Sequence, residues 1–178
     1  LFFLLFLLIN PLYAEENFMI LKLKDGDVLI ELFHDKAPNH VKRFKQLSSE
    51  QKYDGVVFHR VIEGFMAQTG DVEFGNSKEE SYNIKKAGTG GSKYPNLKAE
   101  FSDLPHERGT LSMARANDPN SANSQFFICF KASPFLDRQY TVFGKVIKGM
   151  EFVDLIKRGD GANGEVTDPD KIISLSAK

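Results

Sequence analysis

An arginine stands among apolar side chains in one stretch of this sequence. Arg60 lies within FHRVIEGFMAQTGD, residues 58–71, next to Val61 and close to Phe65. A guanidinium in such surroundings is costly unless it has a partner or a task. Its N–H donors could pair with a carboxylate in a salt bridge, or they could stabilise an electron-rich atom of a bound substrate. The residue type alone leaves both roles open.

A second segment combines aromatic and amide side chains. Residues 111–130 read LSMARANDPNSANSQFFICF and place Gln125 beside Phe126 and Phe127. Three further motifs accompany these segments: GTGG at 88–91, GTLSMAR at 109–115 and VFGKVIKGM at 142–150. In this order, the motifs resemble those of the cyclophilin family of peptidyl-prolyl isomerases. The resemblance extends from about Phe18 to the C-terminus.

The resemblance implies an enzyme that accelerates rotation about X-Pro peptide bonds without a cofactor or a metal. It implies that Arg60 is the catalytic donor and that Gln68 positions it through its side-chain amide. The substrate-binding residues that it implies are Phe65, Met66, Ala114, Arg115, Gln125, Phe127, Phe135, Leu136 and Tyr140. Of these, Phe65, Met66, Phe127 and Leu136 are expected to line the proline pocket. Without the resemblance, ordinary core positions would explain Phe65, Met66 and Phe127 better.

The expected reaction requires breaking amide resonance, which costs about 18–20 kcal/mol. Turnover in about a millisecond requires lowering this barrier by roughly 7 kcal/mol. One well-placed donor typically supplies about 3–4 kcal/mol. In the twisted state the prolyl nitrogen regains a lone pair, to which Arg60 is expected to donate. A dry pocket and a hold on the substrate backbone must supply the rest.

Side-chain alternation conflicts with this site. Counted through the intervening turn, it predicts Arg60 and Phe65 on one face and Met66 and Gln68 on the other. The resemblance requires all four to converge. We therefore expect a bulge or a sharp twist between them.

Two positions depart from the pattern that is most familiar in the family. Phe135 stands where many members carry tryptophan, and Tyr140 stands where many carry histidine. The loop from Ala116 to Pro119 also has an extra residue relative to many members. The loss of the tryptophan predicts weak cyclosporin binding.

Mostly short strands are expected to carry these side chains. A first hairpin is predicted to turn at Asp25-Gly26 and to pair Leu23 with Val28. Later strands are predicted at 97–101, 109–115, 124–130 and 141–147, and a last strand at 172–176 is predicted to pair with the first. Residues 71–96 are predicted to be mostly loop.

Two helices complete the predicted elements. The first is expected from an N-cap at Asn39 to about Ser49, with Arg43 on a solvated face, and the second from Met150 to Gly159. Together with the resemblance, the pattern predicts a mainly β fold. We expect a closed eight-stranded antiparallel barrel capped by two α-helices.

Composition limits the possible partners. The chain of 178 residues has a net charge of −1, which gives no reason to expect nucleic acid or an anionic membrane as a partner. Its single cysteine, Cys129, is flanked by apolar residues and is expected to be buried and inert. The four histidines lack metal-ligand spacing, so no metal is predicted. His59 invites an acid–base role beside Arg60, but the expected reaction moves no proton.

The N-terminus predicts export. Residues 1–9 are wholly apolar, Asn10-Pro11 interrupts the run, and Ala14 stands at a plausible cleavage position. A basic n-region is missing, so residues 1–14 are interpreted as a partial signal peptide and 15–178 as the isomerase domain. A buried first strand or an uncleaved anchor is the alternative. We expect a periplasmic monomer with no stable membrane association after cleavage, acting on proline-containing polypeptides that fold there.

Two other functions remain open at this stage. A proline-peptide binding module or holdase chaperone could use the same groove without turnover. A small-ligand carrier barrel is disfavoured, because large side chains stand where a carrier needs a cavity.

Overall fold

The computed structural model describes residues 17–178, so the predicted signal segment lies outside the described residues. The strands are β1 Phe18–Leu23, β2 Gly26–Leu32, β3 Arg60–Ile62, β4 Met66–Thr69, β5 Thr110–Met113, β6 Phe126–Cys129, β7 Val142–Lys148 and β8 Ser174–Ala177. The helices are α1 Pro38–Ser49 and α2 Met150–Val153, and a 3-10 turn spans Pro134–Leu136.

The eight strands form one antiparallel sheet in the order β3-β4-β6-β5-β7-β2-β1-β8. The sheet curls into an open half-barrel, so the prediction of a closed barrel is wrong. Within residues 17–178, no ladder joins the edge strands β3 and β8. Instead, irregular segments meet there, with a lone bridge between Val57 and Lys171 and a hydrogen bond from Phe58 N to Asp170 O. The mainly β fold, the eight antiparallel strands and the two helices are as predicted.

The first hairpin has a different register from the predicted one. Leu23 pairs with Gly26, and Leu21 pairs with Val28, so the turn residues are Lys24 and Asp25. A shift of two residues leaves the same side chains on the inner face. Hydrophobic alternation therefore could not distinguish the two registers. The predicted pairing of the last strand with the first is confirmed, with Leu21 opposite Leu175.

The first helix begins two residues earlier than expected. Ala37 is the N-cap and Pro38 is the first helical residue, while the N–H groups of Asn39 and His40 donate to the Glu100 carboxylate. A residue distant in sequence thus replaces the predicted local cap. Arg43 is also not on a solvated face. It is buried and donates to the Asn123 and Pro95 carbonyls.

Of the other predicted elements, one helix is shorter than expected and one strand is not formed. The second helix ends at Val153, after which the bonds from Leu155 N to Phe152 O and from Ile156 N to Val153 O follow a tighter turn. Residues 97–101 form no strand, and only a bridge from Leu97 to Ala122 remains. The described part of the chain contains no helix that is both long and apolar enough to cross a membrane.

Aromatic side chains fill the concave side of the sheet. Phe44 of α1 lies with its ring centroid 5.1 Å from those of Phe126 and Phe143 and 5.4 Å from that of Tyr53. The Phe44 and Phe126 rings meet edge to face, at 87°. This packing occupies the space that a ligand carrier would need, and it leaves the outer face of β3, β4 and β6 open.

Candidate active site

The hairpin of β3 and β4 brings Arg60 and Gln68 together. Arg60 pairs directly with Gln68, and Ile62 pairs with Met66. Residues paired across antiparallel strands project to the same face, so Arg60, Met66 and Gln68 share a face without a bulge. Strict alternation counted through the turn therefore gives the wrong faces for this pair, and the hairpin turn rather than a bulge accounts for their convergence.

The turn of this hairpin explains why a simple count along the sequence failed. Phe65 N donates to Ile62 O over 3.0 Å, which closes a four-residue turn. Gly64 has a φ of 70°, as the third position of a type II turn requires. Phe65 thus belongs to the turn rather than to a strand. Its side chain packs at the edge of the apolar cluster described next.

The register continues into β6 and divides the side chains between two cores. Gln68 lies opposite Phe127, and Met66 lies opposite Cys129. Val61, Ala67 and Ile128 face the main core. On the other face, the buried side chains form a second apolar cluster, composed of Met66, Phe127, Cys129 and Leu136.

Met66, Phe127 and Leu136 of this cluster form the floor of a groove of about 440 Å³. The groove is lined by Arg60, Phe65, Met66, Gln68, Ala114, Arg115, Phe127, Phe135, Leu136, Gln139 and Tyr140. Phe135 stands at its lip with 63% of its surface exposed, and its ring centroid lies 5.4 Å from that of Phe65. The groove therefore has an apolar floor, an aromatic lip and one wall that carries Arg60.

A chain of hydrogen bonds fixes the Arg60 guanidinium. Arg60 Nε donates to Asn163 O over 2.8 Å, and Nη1 donates to Gln68 Oε1 over 3.2 Å. Gln68 Nε2 in turn donates to Gln125 Oε1 over 3.0 Å. Within residues 17–178, Arg60 forms no ion pair. Its remaining N–H groups stay available to a ligand in the groove.

Gln125 is held by the glycine-rich loop. Its Nε2 donates to Gly88 O over 2.9 Å and to Gly90 O over 2.8 Å. The N–H groups of the same two glycines donate to Asp71 Oδ2, at 2.7 and 2.9 Å. A Cβ on Gly90 would lie only 2.6 Å from Asp71 Oδ1, so the close approach requires glycine. The GTGG motif thus links the buried Asp71 carboxylate to the side-chain amide of Gln125 through hydrogen bonds.

Next to the groove lies a second cavity of about 280 Å³, and the two share Gln68, Ala114 and Arg115 in their linings. Gln125 lines this second cavity rather than the groove. The remaining lining residues are Gly88, Thr89, Gly90, Ala116, Ser121, Asn123 and Ser124. The predicted site residues therefore lie around two adjoining hollows.

The part of the floor near Leu136 and Phe127 is supported by His106. His106 Nδ1 lies 2.9 Å from Asp137 Oδ1, and its Nε2 lies 2.8 Å from Ser112 Oγ. The ring also stacks on Phe127, with centroids 6.2 Å apart. Burial lowers the pKa of His106, and the His106 backbone N–H holds the pKa of Asp137 below its usual value. A neutral imidazole thus supports the floor of the groove.

Another part of the rim is formed by Arg115 and Tyr140. The Arg115 guanidinium lies 4.4 Å from the centroid of the Tyr140 ring, which meets Phe127 edge to face at 6.0 Å. Arg115 Nη2 donates to Gln139 O over 2.8 Å, and Nη1 donates to Ala116 O over 2.9 Å.

Comparison with known proteins decides the family. The family model described as "Cyclophilin type peptidyl-prolyl cis-trans isomerase/CLD" matches residues 18–177. The chain belongs to this family. It is an enzyme of the cyclophilin type.

The relatives of this cyclophilin include both bacterial and animal proteins. A probable peptidyl-prolyl cis-trans isomerase of Brucella suis is 61% identical over 162 residues, which cover 90% of this chain and 82% of the relative. A Helicobacter pylori peptidyl-prolyl cis-trans isomerase is 39% identical, over a region that covers 83% of this chain and 84% of the Helicobacter chain. The peptidyl-prolyl cis-trans isomerase-like 3 protein of Gallus gallus is 44% identical, over a region that covers 75% of this chain and 77% of the Gallus chain.

Solved cyclophilin structures share the fold. A Cryptosporidium parvum cyclophilin, determined in the presence of the dipeptide Ala-Pro, has a TM-score of 0.77 and 29% identity, covering 90% of this chain and 98% of its own. A cyclophilin from Hirschia baltica has a TM-score of 0.76 and 26% identity, covering 92% and 74%.

Two side chains near the cyclophilin groove are unsuited to acid–base or nucleophilic chemistry. Burial lowers the pKa of His59 to about 4, and neither of its ring nitrogens has a hydrogen-bond partner among the described residues. Burial also raises the pKa of the Cys129 thiol to about 12. The expectation of a buried, inert Cys129 is therefore met.

Sequence reasoning missed several residues that shape this site. Gln139 lines the groove, while Asp71, His106 and Asp137 support it from outside. Asp71 ends the motif that contains Arg60, and this position was its only signal. The partners of His106 lie 6 and 31 residues away in sequence, so no local pattern could indicate them.

Proposed function

We propose that this cyclophilin accelerates rotation about X-Pro bonds in proteins that fold after export, with Arg60 as the catalytic donor. The observation that carries the mechanism is the position of Arg60 on the wall of an apolar groove, fixed by Asn163 O and Gln68 Oε1. The substrate class is proline-containing polypeptide.

The apolar floor is the proposed pocket for the proline ring. Met66, Phe127 and Leu136 are buried there, at 1%, 5% and 8% exposure, and so present a dry surface. A pyrrolidine ring is apolar and rigid, and its burial supplies binding energy. Holding the ring still while the acyl side turns limits the motion to the bond that must rotate.

Arg60 is proposed to bind the twisted state better than the planar one. When the amide loses resonance, the prolyl nitrogen gains a lone pair that can accept a hydrogen bond. Because the guanidinium is already held at Nε and Nη1, little reorganisation is needed when the lone pair appears. One such donor typically contributes about 3–4 kcal/mol. The pocket and contacts to the substrate backbone supply the remainder.

The arrangement favours a mechanism without proton transfer or covalent bonding. Near neutral pH, His59 is a buried neutral imidazole and Cys129 is a buried thiol, as their pKa values require. Rotation about the amide needs neither a base nor a nucleophile. Arg60 therefore acts as a fixed donor throughout the turnover.

A protease-coupled assay on a short X-Pro peptide tests this function. We expect acceleration of cis-to-trans conversion by the wild type, with most of it lost in Arg60→Ala. A holdase or proline-peptide binding module would bind the peptide without accelerating its conversion. Binding with no acceleration, measured on protein with normal circular dichroism, would assign the groove to that second function.

Export is the second part of the proposal. It is supported by the apolar residues 1–9, the break at Asn10-Pro11 and Ala14 before Glu15. Mass spectrometry of protein recovered from the periplasm of an expressing cell is expected to show a mature chain that begins at Glu15. An Ala14→Arg variant is the control, since a large charged residue at the cleavage position blocks processing. A retained N-terminal segment in the wild type would indicate a tethered protein instead.

A further inference from the structure

Arg115 occupies the boundary between the two hollows of the site. Its side chain lines both the groove of about 440 Å³ and the adjoining cavity of about 280 Å³. We take a substrate whose proline ring lies on the Phe127 floor to continue into the adjoining cavity, with each extended residue advancing the chain by about 3.3 Å. Residues adjacent to the proline would therefore come within reach of the Arg115 guanidinium.

The guanidinium is held in place entirely by uncharged groups. Its nitrogens donate to three backbone carbonyls, Gln139 O, Ala116 O and Asn117 O, at 2.8 to 3.3 Å. The Tyr140 ring covers one face at 4.4 Å. Such contacts fix the orientation of the cation without neutralising its charge.

Two other arginines of the protein form ion pairs. Arg108 pairs with Asp154, and Arg158 pairs with Glu63. Within residues 17–178, Arg115 forms no ion pair with any carboxylate. A rigid cation that lacks a counter-ion, at the edge of a binding groove, is an arrangement that suits an anionic ligand group.

The charged side chains that line the two hollows are all cationic. The linings of the two hollows contain Arg60 and Arg115 but no aspartate or glutamate. Glu165 lies close enough to Arg60 for that arginine to help lower the pKa of Glu165, so the charge of Arg60 is partly compensated. Arg115 is thus the less compensated of the two cations.

We propose that Arg115 is a specificity-determining residue that favours substrates with an acidic side chain within two residues of the proline. This inference rests on the proposed function, because it assumes that an X-Pro segment occupies the groove. It adds a substrate class, namely acidic X-Pro segments of unfolded proteins.

The test compares peptides that differ only by Glu or Gln. Each of the two positions before and the two positions after the proline carries Glu or Gln in turn, and isomerisation is followed by exchange NMR. This method needs no coupling protease whose own charge preference would interfere. For the wild type at low salt we expect a Glu/Gln ratio of kcat/KM of about two to five at one or more positions. About 0.5 M NaCl should reduce the ratio towards one.

Variants assign the preference to Arg115. Arg115→Gln is expected to bring the ratio to about one, and Arg115→Glu to invert it. The ratio within one variant cancels any general loss of activity. Arg138→Gln is the matched control. Arg138 is exposed and is the neighbour in sequence of the lining residue Gln139, but it lines neither hollow. We expect its ratio to equal that of the wild type.

Two results would overturn the proposal and are separable from failure of the isomerase function. Equal ratios in the wild type and Arg115→Gln at every position would remove Arg115 as the determinant. A ratio of one throughout in the wild type, with the Gln peptides turned over normally, would show that the groove ignores charge. Absence of turnover for all peptides would instead contradict the proposed function itself.

Discussion

Arg60 and Gln68 lie directly opposite each other in β3 and β4, and Gln68 Oε1 accepts a hydrogen bond from Arg60 Nη1 over 3.2 Å. This pair links the proposed catalytic donor to a longer chain of contacts. Through Gln125, the amide of Gln68 is tied to the carbonyls of Gly88 and Gly90, whose N–H groups are held by Asp71. The orientation of Arg60 thus depends on a buried carboxylate that lines neither hollow.

The Arg60→Lys variant is expected to lose activity while keeping the fold. Arg60 uses Nε and Nη1 to hold its position and has further N–H groups for substrate. Lysine presents one compact charge and cannot reproduce this fork. We expect kcat/KM to fall about 100- to 1000-fold in a peptide assay. Near-normal turnover with unchanged circular dichroism would remove Arg60 from the centre of the mechanism. Arg138→Lys, on the exposed surface, should change neither kcat/KM nor the circular dichroism spectrum.

Gln68 is expected to act as a positioning residue. Gln68→Ala removes both the acceptor for Arg60 and the donor to Gln125, so kcat should fall about 5- to 30-fold with little change in KM. Gln46→Ala, on helix α1, is the control for a lost amide elsewhere. If KM rose while kcat stayed constant, Gln68 would contribute to substrate binding rather than to the alignment of Arg60.

Stability should decrease as the pH falls below about 6.5, because burial of His59 disfavours its protonated form. Its pKa in the folded protein is about 4, whereas an exposed imidazole has a value of 6.5. The unfolded chain therefore binds more protons than the folded one in this window. The stabilisation is fully present above pH 6.5 and is lost as the pH falls towards 4. For His59 alone, the loss between pH 7.5 and 5 is about 2 kcal/mol.

Urea unfolding at these two pH values measures this loss. His59→Phe keeps a planar ring but cannot titrate, so the difference between the two pH values should shrink by about 2 kcal/mol. Burial also lowers the pKa of His40 and His106, so part of the dependence remains in the variant. An unchanged difference in His59→Phe would show that His59 accepts a proton freely in the folded protein.

The lip residue Phe135 is expected to govern drug sensitivity rather than catalysis. A tryptophan at this position would supply an indole N–H and a larger face to cyclosporin, and Phe135 lacks that donor. Phe135→Trp should tighten inhibition about ten- to hundredfold, corresponding to about 1–3 kcal/mol. Because Phe135 is 63% exposed, the larger ring has room, and uninhibited turnover should change little.

Titration of cyclosporin into both proteins, followed by isomerase activity, provides this measurement. Equal inhibition of the two would mean that Phe135 does not set drug sensitivity. The loop from Ala116 to Pro119 would then be the next segment to alter.

The sequence by itself determined the inner and outer faces of the strands and the family. Leu21, Leu23, Val28 and Ile30 are buried as alternation predicts, although their register is shifted by two residues. Alternation specifies which side chains face inward, but a shift of two preserves those faces, so the register itself is set elsewhere. Phe65, Met66 and Phe127 lie in motifs that are recognisable one by one, and they line the groove as the resemblance implied.

Only the tertiary structure decided how distant segments meet. Whether the sheet closes depends on the pairing of its two edges, and no local pattern encodes the irregular contacts between residues 56–58 and 170–172. The link from Asp71 through Gly90 to Gln125 spans 54 residues in the chain but consists of two short hydrogen bonds in space. Propensity and periodicity act over a few neighbouring residues. The support of Arg60 arises instead from contacts that exist only after the whole sheet has formed.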